Sequence, residues 1–395
     1  MAKNEKKQLE KKNWKQQFML VGEAKINDYT YGIDKKSEKS DWVYNQLNLG
    51  VDCGAVCGTV YAEMMGGYGA ERDNVVYVIG KKDDGTIDTN NKFTIDWDDR
   101  FDETILESVA DTCFITVGLE KDKSGKTFAK KFISPYDAIA YIKENLEDGT
   151  VVNVKGNIEY SVYNENVQMR KRITSVFLSN ADDVSKYDAK FTQTVLLQKD
   201  SMGKIDKDKS TIPLYATVIE YQKMWKDKEV KQLIPLRKTF EYEIDMNNEK
   251  GTKTLIEKYL KVKKGVTEIA FDGRFIESGA LVTMTVEDLP DDIKELIEIG
   301  AYTEEEALAK CADGSGKEKR MVFLRPNFRM VETDGVKTPV VSKIEQKYSD
   351  EDLLLDFLID DEQEEPKDDE LPFDVNNKED DKVESDDDSS WLDEL

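Results

Sequence analysis

Three stretches of this chain share one signature: apolar residues at alternate positions with a glycine set in the middle. They are Phe18-Leu20-Gly22-Ala24-Ile26, Val152-Val154-Gly156-Ile158-Tyr160-Val162 and Ile269-Phe271-Gly273-Phe275. A period of two is that of a strand with one face buried. A glycine inside such a strand marks a bulge, a bend or a close approach of backbone. Strands that must coil and bend partway along belong to small closed barrels. The predicted class is therefore mostly β, with small barrels arranged in tandem.

The middle stretch is the clearest. After it, Asn164-Glu165-Asn166 reads as a turn and Val167 to Leu178 as a returning strand. Helices are few and inserted. Ser134-Pro135 is an N-cap and first-turn pair, and Tyr136, Ile139, Ile142 and Leu146 follow at helical spacing before Gly149. Asp291 to Ile299 and Thr303 to Cys311 read as two more, the second opening on the capping box Thr303-Glu304-Glu305-Glu306. Strands and helices do not alternate regularly, which excludes a doubly wound parallel sheet.

Four parts follow along the 395 residues: a flexible Lys-rich arm (1–13), one β-rich domain (14–185), a second (186–345) and an acidic tail (346–395). The formal charge of −25 is divided unevenly. From Glu345 to Leu395 there are 23 acids and 4 bases, a net of −19, which leaves only −6 on the remainder. Local fields decide phosphate binding, so such a body can carry basic stripes.

Histidine is absent, which removes the commonest general base and the commonest zinc ligand. Cys53, Cys57, Cys113 and Cys311 suggest no disulfide framework, and a reducing cytoplasm is expected. No apolar run approaches the length of a membrane span, and no cofactor is expected. Enzyme activity is not expected.

Several motifs have plain readings. Ser124-Gly125-Lys126-Thr127 resembles the end of a phosphate-binding loop, but position 120 is Glu, so a polar hairpin turn fits better. Gly66-Gly67-Tyr68-Gly69-Ala70-Glu71-Arg72 reads as a loop, in which Tyr68 would stack on a base and Arg72 meet a phosphate. Cys53 and Cys57 read as packed thiols. Asp96, Asp98, Asp99, Asp102 and Glu103 follow a strand and open a helix, with Mg²⁺-dependent phosphoryl chemistry as the rival reading.

Cationic–aromatic segments recur: Arg170-Lys171-Arg172 opposite Tyr160 and Tyr163, Lys223-Met224-Trp225-Lys226, Arg237-Lys238-Thr239-Phe240, and Arg325-Pro326-Asn327-Phe328-Arg329. Binders of single strands pair cations that follow the backbone with rings that stack on bases. The candidate binding residues are Tyr160, Tyr163, Arg170, Lys171, Arg172, Lys223, Trp225, Lys226, Arg237, Arg325, Phe328 and Arg329 from these segments, with Trp42, Tyr68, Arg72 and Lys155. From Tyr348 onward the composition is that of a disordered chain, interrupted by Leu353–Ile359, Leu371-Pro372-Phe373 and Trp391-Leu392. An aromatic island among acids reads as a docking motif for a basic pocket. Phe373, Asp386, Asp387, Asp388, Trp391, Leu392 and Leu395 are the candidate partner-binding residues.

This combination resembles the single-stranded DNA-binding proteins of bacteria and their phages. The stretch from Phe132-Ile133-Ser134-Pro135-Tyr136-Asp137 through Val152-Asn153-Val154-Lys155-Gly156-Asn157 is similar to OB-fold proteins of phages and mobile elements, over roughly residues 14 to 180. The resemblance implies an OB fold, protection of single-stranded DNA in replication and recombination, and recruitment of replication or recombination proteins through the tail. The family's tip ends in Pro-Phe, a pair this chain carries internally at Pro372-Phe373. An acidic DNA mimic acting on a host nucleic-acid-binding protein is the rival reading; it calls for acids spread over a folded surface.

Overall fold

The computed structural model describes residues 6–163, 166–181, 183–207, 209–225, 228–277, 294, 297, 319–333 and 336–355. The chain is mostly β and divides into two units, each discontinuous in sequence. The first comprises Trp14–Gln193 and Phe271–Asn327; the second comprises Met1–Asn13, Thr194–Ala270 and Phe328–Leu395. Two of the four boundaries fall inside strands, between Gln193 and Thr194 and between Ala270 and Phe271.

In chain order the strands are β1 (Gln16–Lys25), β2 (Tyr31–Lys36), β3 (Trp42–Asp52), β4 (Thr59–Gly69), β5 (Val75–Lys81), β6 (Ile87–Asp96), β7 (Ile115–Lys121), β8 (Thr127–Phe132), β9 (Val151–Tyr163) and β10 (Asn166–Leu178). There follow β11 (Asp188–Leu197), β12 (Thr211–Trp225), β13 (Lys228–Glu243), β14 (Val266–Ile276), β15 (Arg320–Pro326), β16 (Phe328–Thr333), β17 (Val336–Val341) and β18 (Lys343–Tyr348). The helices are α1 (Gly54–Cys57), α2 (Glu103–Leu106), α3 (Pro135–Asn145) and α4 (Glu249–Leu255).

Five strands of the first unit close a barrel. β1 pairs antiparallel with β9 along most of its length and with β3 at its end. β3 pairs with β4, β4 runs parallel to β10 at Glu63 and Arg172, and β10 returns antiparallel on β9. The ring order β1-β3-β4-β10-β9, with α3 between its third and fourth strands in sequence, is the OB arrangement. Leu20, Leu47, Leu49, Met64, Val154 and Ile158 fill it, and Ile139 and Ile142 of α3 are fully buried. α3 starts where the sequence places it: the Ser134 hydroxyl accepts from the Tyr136 amide and Pro135 opens the first turn.

Two glycines show why the barrel closes. At Gly22, β1 changes one neighbour: Val21 still faces Asp188 of β11, while Glu23 faces Asp52 of β3. A Cβ on Gly22 would lie 1.9 Å from the Asp52 carbonyl oxygen. At Gly156 a Cβ would lie 1.9 Å from the Arg172 carbonyl oxygen, beside the bulge of β10 between Ile173 and Ser175.

The stretch between β4 and α3 builds outward. β5 and β6 form a hairpin whose Val78 and Ile95 pack with Val109 and Ile133 as a separate small core. β7 and β8 form a hairpin closed by the Asp122–Lys126 turn, and β7 runs parallel to β10. The polar-turn reading of Ser124–Thr127 is thus the observed one. Gly66–Gly69, read as a loop, are instead the end of β4. The reason is close approach, since a Cβ on Gly67 would lie 2.0 Å from the Val43 carbonyl oxygen.

The succession of three strands, a helix and two strands then recurs in chain order, as β11, β12, β13, α4, β14 and β15. In the second unit β12 and β13 form a long hairpin whose Leu214, Val218, Ile234, Leu236 and Phe240 are buried. Described residues of the Lys-rich arm are held there: Lys7 donates from its amide to Asp352 and from Nζ to the Lys347 carbonyl, and Glu10 pairs with Lys347 at 2.9 Å. The helices read at 291–299 and 303–311, the turn at 164–165 and the tail from residue 356 lie outside the described residues. Among the described residues no helix is long and apolar enough to cross a membrane.

Candidate nucleic-acid interface

Alternation along β3 buries Val43, Asn45, Leu47 and Leu49 and turns Trp42, Tyr44, Gln46 and Asn48 outward. On β4 it buries Val60, Ala62 and Met64 and turns Tyr61, Glu63 and Met65 outward, the first and last 41% exposed. The register sets Gln46 beside Met65 and Asn48 beside Glu63. Trp42 stacks on Tyr44, with ring centroids 4.6 Å apart and 15° between planes. The Tyr61 ring lies over Gly50, whose Cβ would meet it at 3.0 Å.

Cations border this aromatic face on both sides. Lys35 of β2 lies opposite Tyr44, and among the described residues no carboxylate pairs with it. On β10, Arg170 and Arg172 are exposed. Arg170 lies 3.8 Å from Glu63, and Arg172 lies 2.9 Å from Glu159. Rings, amides and cations on four adjacent strands form a surface on which bases can stack while the backbone meets charge. On the inner side the Asn45 side chain donates to the Tyr136 carbonyl, so α3 leaves the outer face open.

The sequence candidates fall into several groups. Trp42, Arg170 and Arg172 are on the aromatic face, and Lys155 is exposed on the outer side of the neighbouring β9. Tyr68 and Arg72 are engaged elsewhere. Tyr68 packs at 5.2 Å from Trp97 and 5.5 Å from Tyr136, and Arg72 pairs with Asp41 at 3.6 Å. Burial, then the hydrogen bond from its hydroxyl to Asp34, pushes the Tyr136 phenol well above its usual range.

Tyr160 and Lys171 are interior and cannot reach a bound strand. Tyr160 is 3% exposed and hydrogen-bonds Gln193 at 3.2 Å. Lys171 is 8% exposed, pairs with Glu277 at 2.7 Å and sits over the Phe275 ring. The cause is the pleat, which turns neighbours of one strand to opposite faces. Of Tyr163 only the backbone is described, pairing with Asn166.

In the second unit, Lys223 is exposed on β12 and Trp225 half-buried at its end. Arg237 of β13 donates to the Tyr215 carbonyl and lies 3.3 Å from Asp200. Phe328 and Arg329 stand exposed on the β16–β17 hairpin, and Arg325 belongs to the first unit. Lys226 and the tail residues Phe373, Asp386, Asp387, Asp388, Trp391, Leu392 and Leu395 lie outside the described residues. The sequence reading missed Tyr44, Tyr61, Met65 and Lys35. The first three were signalled by aromatic or Met residues at alternate positions opposite an apolar series.

The acid cluster lies at the starts of two short helical turns. Asp102 accepts from the Thr104 amide at the start of α2, and Asp96 precedes a single helical turn. Cys53 and Cys57 are buried at either end of α1's short turn, and burial pushes the Cys57 thiol up to about 11.

A family model described as YorF matches residues 112–269, which span β7 to the start of β14. Comparison with curated proteins gave no match. Among solved structures the chain is similar to a deletion mutant of the single-stranded DNA-binding protein from Thermus aquaticus. That alignment has 9% identity and a TM-score of 0.29, and covers 68% of this chain and 89% of that one. A likeness at that score leaves the interface to be argued from its own residues.

Proposed function

We propose that the chain binds single-stranded DNA without catalysis, through the outer face of β3, β4 and β10. The observation that carries this reading is the open aromatic face of a closed barrel, with Trp42 stacked on Tyr44, Tyr61 laid over Gly50, and Lys35, Arg170 and Arg172 at its borders. Stacking is tolerant of sequence because every base has a π-face, so little sequence preference is expected. The acidic tail supplies the partner contacts, with an aromatic island as anchor and replication or recombination proteins as the class of partner.

Fluorescence anisotropy with a short oligo-dT tests the face. Each stacked base is worth about 1–3 kcal/mol by alanine substitution, so Tyr61→Ala is expected to weaken binding about 5- to 150-fold with the fold intact by circular dichroism. Unchanged affinity in both Tyr61→Ala and Tyr44→Ala would remove the face as the site. An oligo-U arm measures the preference for DNA over RNA.

A further inference from the structure

The cations of the aromatic face are largely matched by acids: Arg170 by Glu63 and Arg172 by Glu159. Bases can stack there, but a bound strand brings one negative charge per nucleotide, and that charge needs another surface. Around the barrel from β4, past β10, the outer side of β9, β1 and β11 provides one. The register aligns Lys155, Met19 and Lys190 in one row across three strands, and Asn157, Gln17 and Thr192 in the next. With strands about 4.8 Å apart, the two lysines stand about 10 Å apart across an apolar Met19 floor.

These rows line a groove of about 660 Å³ within the first unit, and Arg274 and Arg325 belong to its lining as well. A second hollow of about 520 Å³ shares Lys155 and Ser175 with it and adds Phe177 and Lys186. The groove is positive although the body of the chain is not. Among the described residues its lining carries Lys155, Lys190, Arg274 and Arg325 with Asp272, and Asp188 pairs with two of these cations. Asp188 is shared by Arg274 at 2.8 Å and Lys190 at 3.1 Å. Asp272 accepts from Thr192, Arg325 and Asn327, so its charge is already engaged. Among the described residues no carboxylate pairs with Lys155. The lining is rich in short polar groups, Gln17, Asn157, Thr174, Ser175 and Thr192, and poor in open rings. Such a surface grips backbone rather than bases.

We infer that this groove is a second, phosphodiester-binding segment of the interface, which takes the continuation of the strand stacked on the aromatic face. The inference rests on the proposed single-strand binding but adds a separate site, so the two fail separately. Long strands would use both surfaces and short ones the face alone.

The test compares oligo-dT of about 8 and about 30 nucleotides across a salt series, using the full chain. The double variant Lys155→Gln, Lys190→Gln is set against a control with the same change of charge in the inserted hairpin, Lys82→Gln, Lys92→Gln. Each phosphate contact contributes about 0.7 to the slope of log K against log salt for single strands. The groove variant is therefore expected to lower the long-strand slope by about 1.4 relative to the control, and to reduce the long strand's advantage over the short about tenfold. A long-strand slope equal to the control's overturns the groove. So does an equal loss on both lengths, since that reports general charge rather than a continuation site. If short-strand binding survives Tyr61→Ala while the groove variant alone weakens binding, the proposed face is the part that fails.

Discussion

At the residue scale the most informative group is the buried pair of Lys171 and Glu277, 2.7 Å apart and 8% and 6% exposed at their side chains. Removing one member leaves the other charged and buried, which costs about 3–5 kcal/mol, whereas replacing both with apolar residues is close to neutral. Lys171→Met is expected to lose stability of that order in urea melts, and Lys171→Met with Glu277→Leu to recover most of it. A double variant as weak as the single would show that the pair is not the cause. Asp188 gives a pH signature. Burial opposes its ionisation, but hydrogen bonds from Arg274 and Lys190 outweigh that and hold its carboxyl below the usual range. A folded value below the unfolded one of about 3.9 gives stability that is complete above that pH and lost as pH falls through the folded value. Asp188→Asn is therefore expected to flatten the acid limb of the stability curve below about pH 4, and parallel curves would rule this out. Arg170-Lys171-Arg172 also shows what was legible. Three cations in a row read as one basic patch, yet period two forbids it: Arg170 and Arg172 face out and Lys171 faces in. The inward partner, Glu277, stands 106 residues away, beyond any local pattern.

At the element scale, the glycine-centred strands were readable because a barrel strand must bend and only glycine accepts backbone that close. Gly156→Ala places a methyl group within 1.9 Å of the Arg172 carbonyl oxygen. Either the bulge of β10 shifts or β9 moves away, at a cost of about 1–3 kcal/mol by analogy with overpacked cores. Thermal melts are expected to show a matching fall in midpoint, and a variant as stable as the parent would mean that the two strands part freely there. Helix α3 was readable for a similar reason, since Ser134 and Pro135 act within one turn. The loop reading of Gly66–Gly69 failed because composition alone does not separate a mobile glycine run from one pressed on a neighbouring strand. That distinction is made by Val43 and Pro135, both distant in sequence. The aromatic face was half legible: Trp42 was identified, but which face Tyr61 shares is fixed by the β3–β4 register, which sets it opposite Gly50.

At the scale of the whole molecule the question is how a chain of formal charge −25 would hold a polyanion. From residue 356 onward there are 19 acids and 3 bases, a net of −16, so most of the excess lies outside the barrel strands in sequence. Tethering would keep that segment at high effective concentration, and we propose that its acids compete with phosphates for the same lysines and arginines. A chain ending at Leu355 is therefore expected to bind oligo-dT more tightly than the full chain at low salt. The difference should shrink as the Debye length falls from about 10 Å at 0.1 M to about 3 Å at 1 M. Anisotropy titrations of both chains over that range provide the check. Equal affinities at low salt would mean that the acidic segment never meets the cationic surfaces, and that its charge serves its own partners alone. A gain that persists undiminished at 1 M would point instead to competition by its apolar islands, because those contacts do not weaken with ionic strength.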